Sequence, residues 1–169
     1  MKKEIELLAP AGSFESLHAA IQAGANAVYF GVEQLNMRAK SINSFAFSDL
    51  AQIKKLCSKH SIKTYITLNT VMYEHDMQIL KTILKEVKKQ KIDAVIAADF
   101  AVMEYCKQLK IPVQISTQAN VSNIESVKFF ASFSDAVVLA RELTLKQVKQ
   151  ITNEISRKKI KGVSGNLMR

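Results

Sequence analysis

The stretch from Ile5 to Gly31 constrains this chain more than any other, because it reads as strand, tight turn, amphipathic helix and strand. The apolar run Ile5, Leu7, Leu8 stops at Pro10, which cannot donate to a sheet ladder. Ala11 and Gly12 let the backbone turn sharply and come close to a ligand. Ser13 is placed to cap the helix with its hydroxyl. Leu17, Ala20, Ile21 and Gly24 fall on one helical face, and Ala27-Val-Tyr-Phe30 opens the next strand. So compact a unit implies parallel pairing, since antiparallel neighbours need no helical crossover.

The same alternation continues. Ser48 is expected to cap a second helix, with Leu50, Ile53 and Leu56 inward and His60 at its end. Lys63 to Thr70 is a β-branched and aromatic strand. Asp76 opens a third helix with Met77, Leu80, Leu84 and Val87 buried. Ala94 to Asp99 is a uniformly apolar fourth strand, as expected of a sheet covered on both faces. A short helix then carries Val102, Met103, Cys106 and Leu109, and Val113 to Gln118 is the fifth strand. Ser122-Asn-Ile-Glu125 and Thr144-Leu-Lys-Gln147 read as capping boxes that flank a sixth strand, Ala136 to Glu142. Leu145, Val148, Ile151 and Ile155 are expected to face inward. Residues 159–169 show no clear element.

Asn26-Ala-Val, Asp93-Ala-Val and Asp135-Ala-Val each stand where a helix gives way to a strand, an internal echo of repeated βα units. Six strands alternating with six helices mean a parallel α/β fold. A doubly wound sheet is complete at this length, whereas a (β/α)8 barrel needs about 250 residues. The first turn has one glycine rather than the three of a dinucleotide fingerprint. Polar residues recur at the strand ends, as at the mouth of a barrel.

The 169 residues are 48% hydrophobic and 23% charged, enough for a real core. No apolar run approaches the ~20 residues that span a bilayer, and the first residues do not resemble a signal peptide; a cytoplasmic location is expected. Two cysteines, Cys57 and Cys106, exclude a disulfide framework or zinc knuckle and read as buried small apolar side chains. The net charge is +9, and the segment from Arg141 onward holds eight basic and two acidic residues. Such a tail is either a solvated end or a phosphate-contacting one.

The candidate site is the set of strand ends. Arg141 can clamp a carboxylate or phosphate bidentately. Glu142 and Asp99 can act as acid or base, or hold Arg141 in place. Asn69, Thr70, Ser116, Thr117 and Gln118 can read the edges of a base or an amide. Pro10 and Gly12 bring backbone close to a ligand. Asn36 and Arg38, in the long polar loop from Gly31 to Ala46, can reach in, although Arg38 can also pair with a neighbouring carboxylate. The whole set also fits a polar layer filling a barrel interior. His18, His60 and His75 lie in helices or at a helix start, as do both cysteines. That leaves no visible nucleophile–base pair for peptide hydrolysis and no metal-ligand set.

Several stretches together resemble peptidase family U32: Glu6-Leu-Leu-Ala-Pro-Ala-Gly-Ser-Phe-Glu-Ser-Leu17, Ala23 to Gly31, Asn36-Met-Arg-Ala39, Tyr65 to Thr70, Ser116-Thr-Gln118 and Val138 to Leu143. The resemblance implies a TIM-like barrel of which this chain holds about six of eight units, truncated at the C-terminus, so that residues 1–169 form the N-terminal part of a catalytic domain. It also implies a collagenase-like peptidase (a hydrolase) or, more typically, an oxygen-independent hydroxylase, either of tRNA or ribosomal RNA, with prephenate implicated as oxygen source, or of a ubiquinone precursor. Such members use cysteine-ligated iron–sulfur clusters. Their cluster cysteines follow the Lys161-Gly-Val-Ser-Gly-Asn-Leu167 stretch, so the expectation is no cofactor in this chain, a cluster in the full-length protein, and no activity alone. RNA is the expected partner. A dimer, or a partner chain completing the barrel of a standalone module, is the alternative that the open strand edges suggest.

Overall fold

The computed structural model describes residues 5–32 and 45–158. Six strands alternate with six helices: β1 (Leu8–Pro10), α1 (Phe14–Gln22), β2 (Ala27–Phe30), α2 (Leu50–Lys59), β3 (Lys63–Leu68), α3 (Met77–Lys89), β4 (Ala94–Ala97), α4 (Phe100–Leu109), β5 (Val113–Ile115), α5 (Ile124–Phe130), β6 (Ala136–Val137) and α6 (Leu145–Lys158). Single 3₁₀ turns at Phe47–Asp49, Glu74–Asp76 and Thr117–Ala119 precede α2, α3 and α5.

The spatial order of the strands is their chain order, and all five pairings are parallel. This order decides between the two architectures. Crossovers between parallel strands are right-handed, so a sheet whose order never reverses keeps every helix on one side. A doubly wound sheet requires a reversal. The result is a curled half-barrel with helices outside and a concave inner face.

Strand alternation sorts the side chains. Val28, Phe30, Ile66, Leu68, Val95, Ala97, Val113, Ile115 and Val137 face the helices and form the main core with Leu17, Ile53, Leu80, Leu84, Val102 and Ile151. Ala27, Tyr65, Ala94 and Ile96, with Leu8 and Tyr29 beside them, make a smaller cluster on the other face.

Helices α1 to α4 stop the same way. Gly24, Ser61, Lys91 and Lys110 each have φ between 55° and 78°. The next residue, Ala25, Ile62, Ile92 or Ile111, is buried. Its N–H donates back to Ala20, Cys57, Val87 or Cys106 respectively, at 2.9–3.1 Å. These are Schellman closures, with their usual apolar residue after the left-handed one. Only the first uses glycine, so the other three carry backbone strain.

The Asn/Asp-Ala-Val echo proves to be a latch. Asn26 Oδ1 accepts the Leu7 N–H (2.8 Å), Asp93 Oδ2 the Thr64 N–H (2.8 Å) and Asp135 Oδ2 the Val113 N–H (2.9 Å). The backbone N–H of each donates in return to the carbonyl of that same residue, at 2.8–3.0 Å. A short polar side chain therefore does more than close a turn: it ties the start of one strand to the start of the strand before it. The residues preceding β3 and β5, Ile62 and Pro112, have no side-chain acceptor to do this.

Some boundaries differ from expectation. Ser48 sits inside a 3₁₀ turn, and the carboxylate of Asp49, a stronger acceptor, takes the Ala46 N–H instead (2.9 Å). Asn123, not Ser122, caps α5 through the Ser126 N–H (2.9 Å). Thr144 and Gln147 do form the expected reciprocal cap. Leu145 is 67% exposed because it occupies the first turn of α6, away from the stripe of Ile151 and Ile155. Strands β3 and β5 end where the polar residues Asn69 and Ser116 follow, whereas β4 and β6 end at Ala97 and Val137 with apolar residues still to come.

Candidate functional site

The C-terminal ends of β3, β4 and β5 bring Asn69, Ala98 and Ser116 to one level, one residue beyond the paired register. Asn69 Nδ2 donates to Ser116 Oγ across the small Ala98 side chain (3.3 Å). Ser116 is buried, its N–H donates to Ala97 (2.7 Å), and its hydroxyl also accepts the Gln118 N–H (3.2 Å). Thr117 and Gln118 form the turn that Ser116 caps. Thr70 and Thr117 are half-buried and Gln118 is exposed. The structure thus gathers five expected residues into a rim of uncharged amides and hydroxyls. Such groups read donor and acceptor edges.

The proposed acids and bases sit differently. Asp99 caps α4, with Oδ1 accepting the Ala101 N–H (2.8 Å) and Oδ2 the Met72 N–H (3.1 Å). It fixes the loop after β3 to the end of β4. Arg141 and Glu142 lie exposed on a turn after β6. The Ala140 N–H donates to Val121 (2.9 Å) and holds that turn beside the loop after β5. Neither makes an ion pair with a described residue. Pro10 is exposed at the end of β1. The Gly12 N–H donates to Ser16 Oγ (2.9 Å) within the capping box that Ser13 forms with Ser16. Asn36 and Arg38 lie outside the described residues.

Cys57 and Cys106 are fully buried between helices and sheet, and burial pushes their thiols up to about 11 and about 12. The sheet separates them from the concave face, and thiols held neutral are poor nucleophiles and poor ligands. His18, His60 and His75 are exposed. Among the described residues no three of His, Cys, Asp and Glu converge on a metal position. The residues described here therefore do not fit an iron–sulfur cluster.

A second polar group, at the N-terminal end of the concave face, escaped sequence reading. Glu6 accepts from Tyr65 Oη (2.7 Å) and Lys63 Nζ (2.6 Å). Gln114 is 7% exposed, its side chain meets the Tyr65 hydroxyl, and its Oε1 is buried with no partner among the described residues. Burial, then the Glu6 hydrogen bond, pushes the Tyr65 phenol well above its ordinary range. A shallow cleft beside them is lined by Lys63, Tyr65, Gln114 and Asp135. The visible signal was Gln114 itself, a polar residue between Val113 and Ile115.

Comparison with known proteins places this geometry. The signature of peptidase family U32 matches residues 12–163. A protein named collagenase from Porphyromonas gingivalis is 45% identical over 166 residues, which is 98% of this chain and 40% of that protein. The tRNA hydroxylation protein P1 of Bacillus subtilis is 31% identical over 90% of this chain and 37% of its own length. The chain thus spans about two-fifths of the length of these two relatives. The solved structure of the U32 peptidase Mk0906 superposes with a TM-score of 0.73 over 90% of this chain and 66% of that one, at 13% identity. An archaeal fructose 1,6-bisphosphate aldolase follows the same path with a TM-score of 0.54 over 80% of this chain and 60% of its own, at 15% identity. Strand order, helix placement and sequence agree: the chain belongs to peptidase family U32.

Proposed function

We propose that this chain is the substrate-binding N-terminal part of a U32 enzyme that hydroxylates RNA. The observation that carries the reading is the Asn69–Ser116 rim. An amide and a hydroxyl joined across three strand ends, with Thr117 and Gln118 beside them, suit the edges of an unstacked base. The thiols are sealed on the far side of the sheet, and the hydroxyl of Ser116 is engaged with amides rather than with a base, so a peptidase pair is not assembled among the described residues. Relatives named for tRNA hydroxylation and for 5-hydroxycytidine synthesis in 23S rRNA align over 87–90% of this chain at 30–31% identity. Arg141, exposed near the loop after β5, is placed to take a phosphate. Any iron–sulfur cluster of the complete enzyme would be held by residues other than those described here.

The test is a gene deletion followed by mass spectrometry of total tRNA and rRNA nucleosides. Loss of one hydroxylated nucleoside, restored by the wild-type gene and not by the Asn69→Ala, Ser116→Ala double variant, is the expected result. An unchanged nucleoside profile would sink the proposal. A second reading, collagenase-like peptide hydrolysis, is favoured by the name of the relative at 45% identity. Cleavage of gelatin by the purified full-length protein, together with an unchanged nucleoside profile, would select it.

A further inference from the structure

We infer that Tyr73 and His75 form a stacking platform for an unpaired nucleobase at the edge of this rim, an inference that rests on the RNA reading above. Both belong to the loop that leaves β3 immediately after Asn69 and Thr70. Their rings are parallel within 3°, with centroids 5.7 Å apart, an offset stack. Tyr73 is 62% exposed and the His75 side chain 80% exposed. Besides the stack, His75 Nε2 lies 3.5 Å from Asp76 Oδ1. Met72 packs against the core and its N–H is held by Asp99; the Tyr73 N–H is held by Asp76 Oδ2 (2.9 Å). The backbone is thus held at Met72 and Tyr73, and the Asp76 N–H donates to the Tyr73 carbonyl (2.9 Å), while the rings themselves face solvent.

A pre-set, flat aromatic surface suits a planar π ligand, and base–aromatic stacking is tolerant of sequence. The neighbouring carboxylates of Glu74, Asp76 and Asp99 disfavour a phosphate at this spot, so the ligand face is the base and not the backbone. The amide of Asn69 belongs to the same loop, four residues before Tyr73, so the edge of the same or the adjacent base would be read there.

The chain contains no tryptophan, so Tyr73→Trp introduces a single indole reporter at the platform. We expect a single-stranded adenylate hexamer to quench the indole emission of that variant saturably, and an abasic ribose–phosphate hexamer not to. We expect Tyr73→Ala to weaken binding of the labelled adenylate hexamer by about 5- to 100-fold, with the salt dependence of binding unchanged. Tyr73→Phe should bind as wild type, since stacking needs no hydroxyl. Equal binding by wild type and Tyr73→Ala overturns the platform and leaves the RNA reading standing. No hexamer binding by the wild type overturns both. Quenching by a (Gly-Pro-Pro)n peptide and not by the hexamer also overturns the platform, and points to the peptidase reading.

Discussion

Replacing Asp93 by Asn tests the strand latch at the point where it bears charge. Oδ2 of Asp93 takes three donors: Lys54 Nζ at 2.6 Å, Thr64 Oγ1 at 2.7 Å and the Thr64 N–H at 2.8 Å. Asn26 makes the same backbone contact with a neutral amide, so Asp93→Asn keeps the geometry and removes only the charge. A hydrogen bond to an ion contributes about 1 kcal/mol more than a neutral one, which gives about 3 kcal/mol for three. The side chains of Lys54 and Asp93 are 20% and 35% exposed, so solvent screening brings the expected loss to about 1.5 kcal/mol. Asp93→Ala also strands the Thr64 N–H and the Lys54 ammonium and should cost about 3 kcal/mol. Burial works against the ionised carboxylate, but Lys54 and Thr64 together hold its pKa below the ordinary 3.8. The stabilisation is therefore complete above the unfolded-state value and is lost as pH falls through the lower folded value. Urea unfolding at pH 7 and at pH 3 measures both effects, with m unchanged. A loss under 0.5 kcal/mol at pH 7, or a loss of the same size at both pH values, would refute the reasoning.

Other substitutions address separate features. Lys91→Gly should stabilise the chain by about 1 kcal/mol by relieving a left-handed residue, and Gly24→Ala should destabilise it by about as much. No atom lies within 4 Å of an added Cβ at Gly24, so backbone strain is the whole effect; thermal unfolding reads both. Asp99→Ala should cost about 1–2 kcal/mol as a lost helix cap and speed proteolytic cutting between Thr70 and Asp76, whereas Asp99→Asn should leave the cutting rate near wild type. Cys57 and Cys106 should resist a thiol reagent at pH 8 in the native protein and react once urea unfolds it. Fast native labelling would show that the core opens where it is closed here.

The alternation of elements was legible because its periods are strong: Leu17, Ala20, Leu80, Leu84 and Val87 repeat at helical spacing and are all buried. Strand ends were less so. Ser116 and Asp99 continue an apolar run in sequence, yet each begins a cap, because a short polar side chain beside free N–H groups is worth more there than one more ladder bond. Asn69 and Ser116 were readable as strand-end residues; their bond was not, since it depends on the register of β3, β4 and β5. Glu6 and Tyr65 meet across 59 positions, a separation that no local pattern reports. Gln114 and Tyr65 share the concave face only once the sheet curls.

The latches at Asn26, Asp93 and Asp135 occur before β2, β4 and β6 and pair those strands with β1, β3 and β5. The polypeptide is thus organised as three two-strand modules. A break in the covalent chain should then be borne best at the joints between modules, after β2 or after β4. Fragments split there should reassemble more readily than fragments split within a latched pair, where half of each latch would be left on either piece.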